Sequence, residues 1–129
     1  MRAEELKGHL DAVLLAALEG GPRHGYAVIE ALRQSTDGRL DLPTGTIYPA
    51  LRRLEQAGLI AGTWSVVGGR RRREYQLTPA GIRALSGRRA AWRDFSATVT
   101  AALESAALVN TTLKNAALED TACPSPNPA

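Results

Sequence analysis

The chain has 129 residues, a formal net charge of +3 and one cysteine, and this length suits one modest core with an appendage. Hydrophobic residues make up 44% of the chain, yet they form no apolar run near the ~20 residues of a membrane span. Since a single cysteine cannot form an internal disulfide, we expect a cytoplasmic protein whose fold does not depend on oxidation.

Two short helices are predicted first. An apolar stripe at helical spacing predicts a helix of three to four turns that ends at Gly20-Gly21-Pro22. The stripe consists of Leu6, Leu10, Val13, Leu14, Ala17 and Leu18. A second helix follows His24 and Gly25, and a turn at residues 36–39 leads into a brief extended stretch at residues 40–42. The apolar residues of this helix are Tyr26, Val28, Ile29 and Leu32.

A third helix is predicted from Thr44, a good N-cap, to Gly58, which suits the end of a helix. Pro49 lies close to the first turn, where we expect at most a local distortion. The inner stripe of this helix is Ile47, Ala50, Leu51 and Leu54. Its other side must then display Thr46, Tyr48, Arg52 and Arg53. Hydroxyl and guanidinium groups of this kind donate to DNA phosphates and bases, although an ordinary solvated helix face would look similar.

A basic β-hairpin follows, with strands at residues 64–67 and 73–77 on either side of Gly68-Gly69. Residues 62–77 contain four consecutive arginines, at positions 70–73, and one acid, Glu74. Arginines crowded at a turn repel one another, so a counter-charge from outside explains them better than a solubilising loop does. Duplex DNA is preferred to RNA, because the strands lack aromatic platforms on which bases could stack.

A long helix is predicted after the hairpin, with Thr78 as N-cap and Pro79 as its first residue. It carries a heptad seam, which consists of Leu85, Trp92, Phe95, Val99, Ala102, Leu103 and Ala106. Residues 109–118 could extend the helix, fray or fold back. The fold class is therefore mainly α (α+β). We expect a winged helix-turn-helix at residues 1–78, a long helix at 79–118 and a disordered, proline-rich tail at 119–129, which contains Cys123.

Four spaced motifs carry a resemblance to a known family. They are HGYAVI at residues 24–29, TGTIYPALRRLE at 44–55, GLI at 58–60 and REYQLTPAG at 73–81. In this order they resemble the PadR family of transcriptional regulators. The resemblance implies a winged helix-turn-helix with a C-terminal dimerisation helix, and repression of nearby genes that a ligand or stress signal relieves.

The resemblance also implies roles for individual residues. The DNA-contacting set would be Tyr26, Thr44, Thr46, Tyr48, Arg52, Arg53, Arg70, Arg71 and Arg72. Tyr26 would contact a phosphate or simply pack, Tyr75 would be mostly structural, and His24 would stabilise a turn and not bind a metal. Trp92 and Phe95 would hold a small planar aromatic effector or simply pack at the dimer interface.

The heptad seam exposes more apolar surface than one helix of a small domain can bury, so we expect a C2 homodimer. Its predicted interface residues are Leu85, Trp92, Phe95, Val99, Leu103 and Ala106. Such a dimer would place two recognition helices ~34 Å apart, on a palindromic double-stranded operator.

Other classes of protein are less favoured. The sequence has no arrangement of carboxylates, Ser/His/Asp residues or phosphate-binding glycines that suits catalysis, and two histidines and one cysteine give no metal site. We therefore expect no enzyme, cofactor or metal. A winged-helix module that binds protein instead of DNA is the alternative, but it would not require four arginines on its wing.

Overall fold

A computed structural model describes Leu6 and residues 8–122, with side chains described as far as Ser105. In this part of the chain the elements follow the predicted order of three helices, hairpin and long helix. They are α1 (Leu10–Ala17), β1 (Arg23–His24), α2 (Gly25–Ser35), α3 (Thr44–Gln56), β2 (Ile60–Val67), β3 (Arg70–Leu77) and α4 (Pro79–Ala122). The mainly α winged-helix class is confirmed. The chain divides into two units between Arg89 and Ala90.

Helix α1 is shorter than its apolar stripe predicts. Gly8 has a φ of 89°, a left-handed conformation that separates Leu6 from the helix that begins at Leu10. Leu6 is nevertheless only 7% exposed, so it belongs to the core without belonging to the helix. Four of the six stripe residues are buried, Leu10 and Val13 are only partly buried, and the predicted helix was too long.

The core of the first unit is formed by the inner sides of α1, α2 and α3 and by residues from the sheet and the start of α4. Its most deeply buried large side chains are Leu14, Leu15, Leu18, Val28, Ile47, Leu51, Leu54 and Ile60. All four residues of the predicted inner stripe of α3 are buried. Because α1 to α3 are too short to be stable as isolated helices, this shared burial is what maintains them.

The start of α3 differs from the prediction, whereas its end agrees with it. Thr44 is the first residue of the helix, and Pro43 is the N-cap without a side-chain hydrogen bond, so the prediction of Thr44 as N-cap was wrong. Pro43 can take this position because its carbonyl accepts the amides of Thr46 and Ile47. Gly58 follows the C-cap with a φ of 78°, as predicted for a residue that ends a helix.

The sheet has three antiparallel strands in the order β1-β3-β2, and β1 was not predicted. The hairpin strands are longer than expected, and Gly68 and Gly69 both have positive φ, as a tight two-residue hairpin turn requires. As a result, all four arginines lie in strand β3 and not at the turn. Residues 40–42, for which a brief extended stretch was predicted, form no strand.

Helix α4 begins as predicted. The Thr78 hydroxyl oxygen accepts the amide of Gly81 at 3.0 Å, so Thr78 caps the helix, and Pro79 is its first residue. The helix continues through residues 109–118 and ends at Ala122, so residues 119–122 are helical and do not belong to the predicted tail. The remainder of that tail, with Cys123, lies outside the described residues.

Candidate nucleic-acid interface

The outer side of helix α3 presents the polar side chains that the sequence assigned to DNA. Thr44, Arg52 and Arg53 are exposed, and Thr46 and Tyr48 are half-buried. The hydrophobic stripe anchors the opposite side of the helix, so these side chains have a rigid support. Hydroxyl and guanidinium groups on a supported helix are suited to phosphate oxygens and to base edges in the major groove.

Tyr48 is held in place by the start of α2. Its ring lies against Gly25, where an added Cβ would come within 2.5 Å of the ring, and it meets Tyr26 edge-on at a centroid distance of 6.4 Å. Burial raises the pKa of the Tyr48 phenol above its usual 10.0, with smaller effects from Tyr26 and Tyr75. The phenol therefore remains protonated near neutral pH and can donate a hydrogen bond. Tyr26 itself is 65% exposed beside it.

The two arginines in the second half of α3 have different surroundings. Arg53 lies 3.6 Å from Asp11 of α1, an ion pair that compensates part of its charge. Arg52 has no acidic partner among the residues that the structure describes. Of the two, Arg52 is therefore better suited to bind an anion from outside.

The hairpin arginines are partly compensated, which the sequence did not predict. Arg73 donates a hydrogen bond to Glu55 of α3, so the expectation of four unrelieved arginines was wrong. Arg72 lies 3.1 Å from the Nε2 atom of His24. Like Arg70 and Arg71, it has no acidic partner in the described part of the chain. Because strand residues alternate between faces, the four cations are also divided between the two faces of the hairpin.

His24 supports the turn before α2, in agreement with its predicted role. Its Nδ1 atom accepts the amide of Ala27 at 3.4 Å, so the imidazole caps the helix. No group of three or more His, Cys, Asp or Glu side chains in the described part of the chain is arranged to hold a metal ion. None of the helices in this part is both long enough and apolar enough to cross a membrane.

The predicted dimer residues fall into three groups. Leu85 is only 3% exposed and packs in the core of the first unit, so its assignment to a dimer interface was wrong. In the second unit, large apolar side chains are exposed along α4, and they are Trp92, Phe95, Val99 and Leu103. The side chain of Ala106 lies outside the described residues. The Trp92 and Phe95 rings lie side by side with their centroids 6.0 Å apart.

Sequence reasoning missed two residues that shape this surface. Gly25 leaves the space that the Tyr48 ring occupies. Trp64 is 59% exposed on the hairpin, with the guanidinium groups of Arg71 and Arg73 at 4.7 and 5.4 Å from its ring. A lone tryptophan facing a run of arginines across a predicted hairpin was the available signal.

Three packed helices followed by a hairpin and a long helix define a winged helix-turn-helix, a class of DNA-binding protein. The chain belongs to the PadR-like family of transcriptional regulators, and its match to that family covers residues 14–87. The resemblance inferred from the four motifs is thereby confirmed. Proteins of this family regulate transcription and are not enzymes.

Similar proteins agree with the assignment. The chain is 40% identical over 74 residues to the transcriptional regulator Rv3488 of Mycobacterium tuberculosis. The matched segment covers 57% of this chain and 56% of that protein. A PadR family transcriptional regulator from Eggerthella lenta is 34% identical, with a TM-score of 0.68 over 78% of this chain and 87% of the other. A transcriptional regulator from Clostridium thermocellum is 26% identical, with a TM-score of 0.70 over 76% of this chain and 96% of the other.

Proposed function

We propose that the chain is a homodimeric repressor that binds an inverted-repeat operator, with α3 in the major groove and the hairpin at the adjacent minor groove. The observation that supports this most directly is the set of exposed, uncompensated cations on α3 and on the hairpin. Arg52, Arg70 and Arg71 are exposed and have no acidic partner among the described residues. Because the family regulates transcription, DNA phosphates are the anions that best match these cations.

Homodimerisation is supported by the second unit considered alone. Trp92, Phe95, Val99 and Leu103 are between 39% and 68% exposed on helix α4. A single helix cannot bury such a row by itself, whereas the same row of a second copy can cover it across a two-fold axis. At ~25 cal/mol per Å², several hundred Å² of apolar area would contribute several kcal/mol to association.

An effector site at this row is supported by the pair of aromatic rings. Trp92 is 52% and Phe95 is 57% exposed, so a planar aromatic compound can stack against both rings. Binding there would change how the two copies pair and hence the spacing of the two α3 helices. Titration of a Trp64→Phe variant with planar aromatic compounds tests the site, because Trp92 is then its remaining tryptophan. Unchanged fluorescence with every compound would contradict the effector site, and impaired dimerisation of a Trp92→Ala variant would then argue for plain packing.

DNA recognition is tested by a gel shift with the DNA upstream of the chain's own gene. Tyr48→Ala and Arg52→Ala should each weaken binding, since both remove a donor from the outer side of α3. Arg33→Ala is the matched control, because Arg33 of α2 is already paired with Glu30 at 3.1 Å. It should bind like the parent.

Two results would contradict the proposal. If Tyr48→Ala and Arg52→Ala are folded and bind like the parent, α3 is not the recognition helix. If the folded parent binds no duplex at all, a protein-binding winged-helix module becomes the better description. Repression itself is tested by a reporter fused to the upstream DNA, whose expression should rise when the chain is absent.

A further inference from the structure

The two faces of the hairpin divide its arginines into different environments. Tyr75 and Arg73 alternate with Glu74 along β3, and Tyr75 is buried, so the face that carries Tyr75 is the one that packs on the core of the first unit. Arg71 and Arg73 share this face, and Trp64 lies opposite Arg73 on β2. Arg70 and Arg72 point to the other face. The cations on the same side as α3 are therefore Arg71 and Arg73.

Arg73 is engaged within the protein. Its guanidinium donates to Glu55 of α3, and its side chain passes over Gly62 so closely that an added Cβ there would lie 2.8 Å from its Nε atom. The same guanidinium lies 5.4 Å from the Trp64 ring centroid. Arg73 therefore links α3 to the indole and has its charge compensated, which leaves little of it for an external anion.

Arg71 lies beyond this link, nearer the tip of the hairpin. Its guanidinium is 4.7 Å from the Trp64 ring centroid, within the range of a cation–π contact. Arg71 is exposed and has no acidic partner among the described residues. Glu55, Arg73, Trp64 and Arg71 thus form a continuous row from the recognition helix to the outer part of the wing, which we call the wing row.

Trp64 is 59% exposed, so more than half of its indole surface lies outside the core. Its contacts with two guanidinium groups are what give it a role on the wing. An arginine at a hairpin tip loses side-chain freedom when it binds DNA, and an indole that already orients the guanidinium reduces that loss. Arginine is also the side chain that a narrow, strongly negative minor groove attracts.

We propose that Trp64 is the positioning residue for Arg71, and that Arg71 is the wing arginine that enters the minor groove beside the α3 site. The wing row fixes the indole to α3 through Arg73, and the indole in turn fixes Arg71. Arg70 and Arg72 contribute charge from the other face. This inference rests on the proposed DNA binding, but it makes a separate claim about which wing residues act together.

A double-mutant cycle tests the pairing. Fluorescence anisotropy at one fixed salt concentration gives the operator affinity of Trp64→Ala, Arg71→Ala and the double variant. We expect each single change to weaken binding about three- to tenfold, and the double variant to be no weaker than Arg71→Ala alone. Trp64→Phe, which retains an aromatic ring, should recover most of the affinity.

The matched control is the cycle of Trp64→Ala with Arg70→Ala. Arg70 is the same residue type on the same strand but on the opposite face. The fold-losses of operator affinity caused by Arg70→Ala and Trp64→Ala should therefore multiply in the double variant. If Trp64→Ala does not fold, Trp64→Thr replaces it, since threonine suits an exposed strand position. Thermal unfolding of each variant establishes that it is folded.

Three outcomes would overturn the inference. Multiplying effects of Trp64→Ala and Arg71→Ala would show that the two residues act independently. Parent-like binding by Trp64→Ala would show that the indole does not position a DNA contact. A folded parent that binds no duplex would remove the proposed function and this inference with it, whereas the first two results would leave DNA binding intact.

Discussion

Replacement of Gly81 by alanine should strongly destabilise the first unit, because the start of α4 packs directly on the backbone after α3. A Cβ at Gly81 would lie 1.9 Å from the carbonyl oxygen of Leu59 and 3.0 Å from its carbonyl carbon. That oxygen accepts the amide of Thr78 at 3.1 Å, and the Thr78 hydroxyl donates to the carbonyl of Gly58 at 2.6 Å. Backbone atoms on both sides are therefore held in place.

The magnitude follows from the required movement. Ordinary contact begins near 3.4 Å, so the two backbones must separate by more than an ångström. Such overpacking costs about 1–3 kcal/mol, and breaking a backbone hydrogen bond costs about 1 kcal/mol more. The higher helix propensity of alanine compared with glycine offsets about 0.5–1 kcal/mol of this cost. We expect a net loss of about 1–3.5 kcal/mol, or roughly 4–28 °C in Tm for a unit of this size.

Urea unfolding followed by circular dichroism at one fixed protein concentration measures the loss. The matched control is Gly87→Ala in the same helix, because a Cβ at Gly87 meets nothing within 4 Å. That variant should be more stable than the parent by about 0.5–1 kcal/mol. The packing argument fails if Gly81→Ala unfolds within about 0.5 kcal/mol of the parent, which is the range of ordinary surface changes.

Three further predictions concern the DNA surface and its support. Gly25→Ala should weaken operator binding, because its Cβ would displace the Tyr48 ring; equal affinities in an anisotropy titration would show that the ring position does not matter. Replacement of Arg70, Arg71 and Arg72 by alanine should lower the affinity for all duplexes. The slope of the logarithm of the binding constant against the logarithm of the salt concentration should become less negative by about 0.9 for each phosphate that the wing no longer neutralises. An unchanged slope would exclude the wing from phosphate binding. Hydrogen bonds from Arg89 lower the pKa of Glu19 below 4.5, so the ion pair stabilises the fold above that pH and is lost as the pH falls through the lowered pKa. The difference in unfolding free energy between the parent and Glu19→Gln should therefore shrink on acidification, and a difference that is constant with pH would contradict this.

Local sequence signals predicted much of the fold. Apolar spacing identified the inner side of α3, and Gly58, Gly68 and Gly69 marked turns whose positive φ the structure confirms. Thr78 and Pro79 marked the start of α4. Each of these signals acts within a few residues, through capping, turn geometry or helical periodicity, so it can be interpreted without knowledge of the tertiary structure.

Contacts between distant segments could not be predicted in this way. Strand β1 has two residues and no pattern of its own, and it exists because β3 pairs with it. The pairing of Arg73 with Glu55 depends on how the hairpin folds back on α3. The heptad seam continues from Leu85 into the second unit without a change of period. Spacing alone therefore could not show that Leu85 packs in the core of its own chain.

The most direct test of the central claim is a measurement of stoichiometry and salt dependence on one labelled duplex from the upstream region of the gene. Analytical ultracentrifugation should show two chains on each inverted repeat. The logarithm of the binding constant should fall linearly with the logarithm of the salt concentration, with a slope of about −0.9 for each phosphate contacted. A folded chain that binds this duplex as a monomer, or with an affinity that salt does not change, would contradict a dimer that recognises DNA through α3 and the wing.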